Sequence, residues 1–129
     1  MTTASPGISS NIPKQDYLSL FEGSHPKFQD VISFIDFKKD DIAKATGIPM
    51  ASIRYDAKMP ADLEARIREW GTLLNLVAEH FDGSPDKTAL WFTMPNPMLG
   101  DIAPRDMIRF GRFRKLLKFI LNSIDENQA

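Results

Sequence analysis

Between Ala61 and Phe81 the apolar residues Leu63, Ile67, Trp70, Leu74, Val77 and Phe81 recur at alternating steps of four and three. That period brings all six onto one continuous face of an α-helix. Leu73 and Leu76 widen the stripe. At about 1.5 Å per residue the segment spans roughly 30 Å, long enough to join an N-terminal and a C-terminal unit. Elsewhere nothing alternates with the period of two that a half-buried strand needs, no Asn-Gly hairpin occurs and no internal repeat is evident. The expectation is an all-α fold, a small multi-helix bundle organised around this rod.

A chain of 129 residues makes one domain, or two small helical units sharing a core. Its 43% hydrophobic and 26% charged residues are ordinary for a soluble protein. With no cysteine, disulfides, thiol catalysis and cysteine metal sites are excluded. The first residues lack the basic start and apolar core of a signal peptide, and no apolar run reaches the roughly 18 residues of a membrane span. A cytoplasmic address without a membrane partner is expected. The net charge of −1 argues against an unspecific nucleic-acid coat.

Residues 1 to about 13 are rich in Ser, Thr, Gly and Pro, and residues 1–25 read as a disordered or weakly ordered segment. Within it Asp16–Phe21 has the spacing of one helical turn. Ser24-His25-Pro26 looks like a helix start ahead of Phe28, Val31, Ile32 and Ile35. From Lys38 the order Ala43, Gly47, Ile53 has the spacing of a helix-turn-helix: a small residue at the helix contact, a glycine in the turn, a branched residue on the second helix. Ile42, Ile48 and Ile53 would form its core, and Pro49 suits the second helix's first turn. This reading sets Met50–Lys58 in a major groove, with Ser52, Arg54 and Tyr55 as candidate base contacts and Lys38, Lys39 and Lys58 on phosphates. The competing reading is a purely structural corner, favoured by the partly cancelling Asp40, Asp41 and Asp56. Residues 26–82 thus form the first unit, ending with the long helix.

Asp82-Gly83 stops that helix, and Ser84-Pro85 caps the next, which runs to about Thr93. Pro95-Asn96-Pro97 ends it, since proline removes a donor and restricts the residue before it. Gly100 permits a positive-φ turn and Pro104 suits the first turn of another helix. Helices over Pro104–Phe110 and Arg112–Ile124, broken at Gly111, would complete a second unit, residues 83–129. Trp91 is expected in the core of the corner, with Asn96 capping the turn. Arg105, Arg109, Arg112, Arg114, Lys115 and Lys118 face a single Asp106 in this stretch. Three readings stand: a solvated face, a membrane-surface helix with Phe110, Phe113 and Phe119 interleaved, or docking to an acidic partner.

Catalysis finds no constellation. His25 and His80 lie in unlike contexts, no phosphate loop or nucleophile set occurs, and Asp40-Asp41 suit a helix start electrostatically. No enzyme activity, cofactor or metal is expected.

The series Trp91, Asn96-Pro97, Leu99-Gly100 and Pro104 before an apolar helix resembles the C-terminal toxin-binding domain of the MbcA/ParS/Xre antitoxin family. The likeness runs from about Ala89 to Ile124 and more loosely upstream to Phe37. It implies an antitoxin of a type II toxin–antitoxin pair with an Xre-like N-terminal unit that autoregulates its operon through operator DNA. The implied partner is a RES-like, NAD-consuming toxin whose active-site cleft the antitoxin covers, in a homodimer or higher hetero-oligomer with toxin. By that resemblance the toxin-binding residues are Trp91, Asn96, Pro97, Leu99 and Gly100, joined by Arg109, Arg112 and Arg114, with Leu121–Ala129 as the occluding end. The chain departs from the pattern at Asp101, where a second glycine is frequent, and at Ala103, where threonine is frequent. Asp101 is therefore expected to take over the cap. The alternatives are a helix-turn-helix transcriptional regulator without a toxin partner, and an interaction module without DNA contact.

Overall fold

The computed structural model describes residues 12–128, with side chains through Asp125. Its elements in chain order are a two-residue antiparallel ladder, β1 (Phe21–Glu22) with β2 (His25–Pro26), then α1 (Phe28–Phe34), α2 (Lys39–Thr46), a 3-10 turn (Met50–Ser52), α3 (Ala61–His80), α4 (Pro85–Thr93), a second 3-10 turn (Pro97–Leu99), α5 (Pro104–Arg109) and α6 (Phe113–Gln128). Helices dominate, so the fold is broadly all-α.

The long helix is the axis. Every seam residue from Leu63 to Val77 is buried, and so are Gly71, Asn75 and Ala78 off the seam. A helix buried this widely needs cover on several sides. α1 and β2 supply one, α4 and α6 another, while α5 packs against α2, α4 and α6. Phe37 meets Trp70 edge to face at 5.6 Å between centroids. One core therefore joins Val31, Ile35 and Ile42 from the first half to Phe92, Ile108, Leu116 and Ile120 from the second. The boundary expected near residue 82 is a tight turn between packed helices, with Gly83 at φ 80° and its N–H on the Ala78 carbonyl, 2.7 Å.

Residues 12–25 are not a loose tail. They form a strap across α3, and residues 1–11 lie outside the described chain. The Asp16 carboxylate accepts from the Leu20 and Phe21 N–H groups and from Asn75 Nδ2, at 2.8, 2.9 and 2.8 Å. Asn75 in turn accepts from the Leu18 N–H at 2.9 Å. Those bonds hold a single hydrogen-bonded turn, Ser19 N–H to the Asp16 carbonyl at 3.2 Å, where a helical turn was expected, and Ser19 sits at φ 54°. Ser24-His25-Pro26 does not start a helix either: His25 and Pro26 pair with β1, and α1 begins two residues later.

The candidate helix-turn-helix forms only in its first half. α2 ends as expected at Gly47 (φ 77°), with Ile42 and Ile53 buried and Ile48 half-buried. Over Met50–Lys58 no second helix forms; three residues make a 3-10 turn and the rest is irregular. The cause is local. Asp56 accepts from the Lys58 N–H (2.9 Å) and from Arg54 (2.7 Å), folding the chain back, and Pro60 follows.

Candidate protein-binding face

The corner after α4 is built on Asn96. Its N–H donates to the Ile102 carbonyl (3.1 Å), its Oδ1 accepts from the Met98 N–H (2.9 Å), and its carbonyl accepts from Leu99 (2.9 Å) and Asp101 (3.0 Å). The side chain caps the turn as expected. Gly100 and Asp101 then take positive φ, 72° and 63°, and Pro97–Asp101 close as a loop between the bridged Asn96 and Ile102. Glycine is the residue without strain there, whereas Asp101 adopts the same region as a short polar side chain can. Asp101 makes no cap for α5; that helix starts at Ala103 without a side-chain bond, and buried Pro104 occupies its first turn.

Register within α4 decides which side chains reach the core. Thr88 and Phe92, four residues apart, are fully buried, with the Thr88 hydroxyl donating to the Ser84 carbonyl at 2.7 Å. Trp91 lies one residue off that line. It is half-buried, edge to face with Phe92 at 5.0 Å, and correcting the expectation, Phe92 and not Trp91 is the core aromatic. The outer side of the corner carries Leu90 (58% exposed), Met94 (51%) and Met98 (77%). Phe81, Lys87, Leu90, Trp91, Met94, Pro95, Asn96 and Pro97 line a groove of about 400 Å³ on this face. Trp91, Asn96 and Phe81 also border a second, half-open pocket of about 150 Å³ between α3, α4 and α6.

Of the residues expected on a partner face, the structure brings Trp91, Asn96 and Pro97 together at this groove. Leu99 turns inward onto the core, and Gly100 acts through its backbone. The three arginines are not among the groove's lining residues. Arg109 is committed within the fold, 3.1 Å from Asp106, 4.0 Å from Asp41 and 4.5 Å above the Phe110 ring. Arg114 reaches Glu69 on α3 at 3.4 Å, while Arg112 is exposed. Leu90, Met94 and Met98 escaped the sequence reading. For Leu90 the signal was there, since adjacent Leu90, Trp91 and Phe92 on one short helix cannot all face inward; Met94 and Met98 lie past the helix end, where no periodicity marks them.

The candidate DNA contacts lie at the start of α2, in the 3-10 turn and in the loop that follows it. Lys38 is the N-cap of α2, its N–H bonded to the Asp41 carboxylate at 2.9 Å, and Lys39 is exposed on the first turn. Ser52 ends the 3-10 turn and Lys58 lies in the following loop. Arg54 is paired with Asp56, whose carboxyl is held below its ordinary range by the Lys58 N–H first and by Arg54 next. Tyr55 is half-buried against the core, and burial pushes its phenol up.

Among the described residues no group of three or more His, Asp or Glu is placed to hold a metal ion, and no helix is long and apolar enough to cross a membrane. Comparison of the chain with protein-family models, with curated proteins and with solved structures gives no match.

Proposed function

We propose that this protein is the antitoxin of a type II toxin–antitoxin pair and that the Trp91–Gly100 corner binds its toxin. The observation that carries the reading is the exposed apolar face of Leu90, Met94 and Met98 beside the half-buried Trp91, set on a corner whose geometry Asn96 fixes. Apolar side chains held out on a rigid support lose little entropy on docking, which favours protein partners over small polar ligands. The likeness of the Trp91, Asn96-Pro97, Leu99-Gly100 and Pro104 series to the MbcA/ParS/Xre antitoxins supplies the class of partner: a RES-like toxin that consumes NAD. Neutralisation is then steric, the corner and α6 covering the cleft that NAD must enter.

Operator binding is not part of the proposal. The rival, a helix-turn-helix regulator without a toxin, needs a second helix where the chain has a three-residue turn. Co-expression with the product of the adjacent gene tests the reading. A stable complex that loses NAD consumption, and regains it when Leu90 and Met94 are changed to Glu, is the expected result. A monodisperse protein that ignores its neighbour's product overturns it.

A further inference from the structure

The outward face of α6 carries its charges in an order that the helix itself does not favour. Arg114, Lys115, Lys118, Asn122 and Asp125 are exposed there, with Leu121 half-buried among them. The first turn holds Arg114 and Lys115 and no carboxylate; past Lys118 the helix has no further cation, only Asp125 and, next in sequence, Glu126. A helix is partly positive at its N-terminal end and partly negative at its C-terminal end, so this order weakens a helix standing alone. The rest of the fold neutralises little of it. Arg114 lies 3.4 Å from Glu69, whereas Lys115, Lys118 and Asp125 have no ion-pair partner among the described residues.

We propose that two copies of this chain associate through α6, laid antiparallel about a two-fold axis. The basic half of each helix then faces the acidic end of the other, and each positive helix end lies beside a negative one. An axis midway between Leu121 and Asn122 sets Lys118 of one copy opposite Asp125 of the other, twice by symmetry, with both leucines at the centre. A face that is basic in one half and acidic in the other is complementary to its own reverse, which is what selects a second copy. A lipid surface or a nucleic-acid backbone would attract the basic half and repel the acidic end. The Trp91 corner borders α6 at Phe119 and Ser123, off this face, and stays open. The inference therefore does not require the toxin.

Sedimentation velocity of the full chain over a dilution series tests it. A reversible monomer–dimer equilibrium that weakens with added salt is expected. K118E and D125K each set like charges opposite at two places, and each should weaken the dimer about tenfold or more. The double variant K118E/D125K exchanges the two signs and should return the dimer to within about threefold of native. That return cannot arise within one chain, because the two positions lie roughly 10 Å apart along their own helix. Both side chains are exposed, so circular dichroism should show native helix content in every variant. A chain that stays monomeric at every concentration, a dimer indifferent to both single changes, or a double variant as weak as the singles would each overturn the proposal. In a chain that stays monomeric, hydrogen-exchange protection of α6 by the adjacent gene's product, by duplex DNA or by phosphatidylserine vesicles names the occupant that takes the second copy's place.

Discussion

At the scale of single residues, Asn96 carries the corner with four hydrogen bonds, and each restrains a different part of the loop. N96A removes only the one to the Met98 N–H, so it should cost about 1 kcal/mol in denaturant unfolding, as lost caps do. N96D keeps an acceptor at that atom and should recover most of it. The neighbouring aromatics separate more sharply. F92A empties a fully buried site and should cost about 3–5 kcal/mol; W91A, at a half-buried position, should cost about half as much by the area it covers. Equal losses would show that the indole, too, anchors the core. Tryptophan's size draws attention to position 91, but a helix turns about 100° per residue, so only Thr88 and Phe92 share the inward line. Proline, glycine and asparagine were legible because each forces the backbone directly. Which of two adjacent aromatics faces in depends on where the partner helices lie, and that is a tertiary fact.

Elements were legible where local chemistry was sufficient and illegible where a distant residue decided. The seam of α3, the Ser84-Pro85 cap and the Gly111 break need only their own segments. The strap at residues 12–25 needs Asn75, more than fifty residues away, to hold Asp16 and Leu18. The second helix after Gly47 failed for the opposite reason: an Asp56 turn and Pro60 outweighed a pattern that matched at three positions. The strap makes its own predictions. Partial burial pushes the Asp16 carboxyl up, but hydrogen bonds from the Leu20 N–H, Asn75 and the Phe21 N–H, with the charge of Lys27, outweigh it and hold the group below its ordinary value. A depressed folded-state pKa means stability that is present above the unfolded value and lost as pH falls through the folded one. Urea midpoints should therefore drop for the native protein as pH falls through and below the ordinary aspartate range, and D16N should flatten part of that slope. The glycine inside α3 has a related reason. A Cβ on Gly71 would lie 3.1 Å from the Phe21 ring and 3.3 Å from Val31 Cγ2. G71V should thus lift the strap, costing about 1–3 kcal/mol by overpacking and speeding hydrogen exchange at the Leu18, Leu20 and Phe21 amides before the rest of the chain responds.

For the whole molecule, charge and apolar surface play separate parts. The basic stretch after Pro104 reads in sequence as a solvated face, a membrane-surface helix or a docking patch; in the structure Arg105, Arg109 and Arg114 lie within 4.0 Å of Asp36, Asp41 and Glu69 of the same chain. Sequence shows their density but not their partners, because the carboxylates stand on α2, α3 and the loop before α2. The apolar face of α4 and its corner has the converse character: it contributes little to its own fold and is left open to solvent. These two sets should respond oppositely. R109A should lower stability by about 1 kcal/mol, from loss of its ion pairs and its stack on Phe110, and leave partner binding within a few-fold of native. L90E with M94E should leave the unfolding midpoint nearly unchanged, since both side chains are more than half exposed. The same pair should weaken binding of the adjacent gene's product by about a hundredfold or more, as charged side chains do at the centre of an apolar interface. Isothermal titration beside urea unfolding reads both quantities on the same preparations. If R109A abolishes binding and the double glutamate variant does not, the partner docks on the basic helices and the Trp91 corner is only a turn.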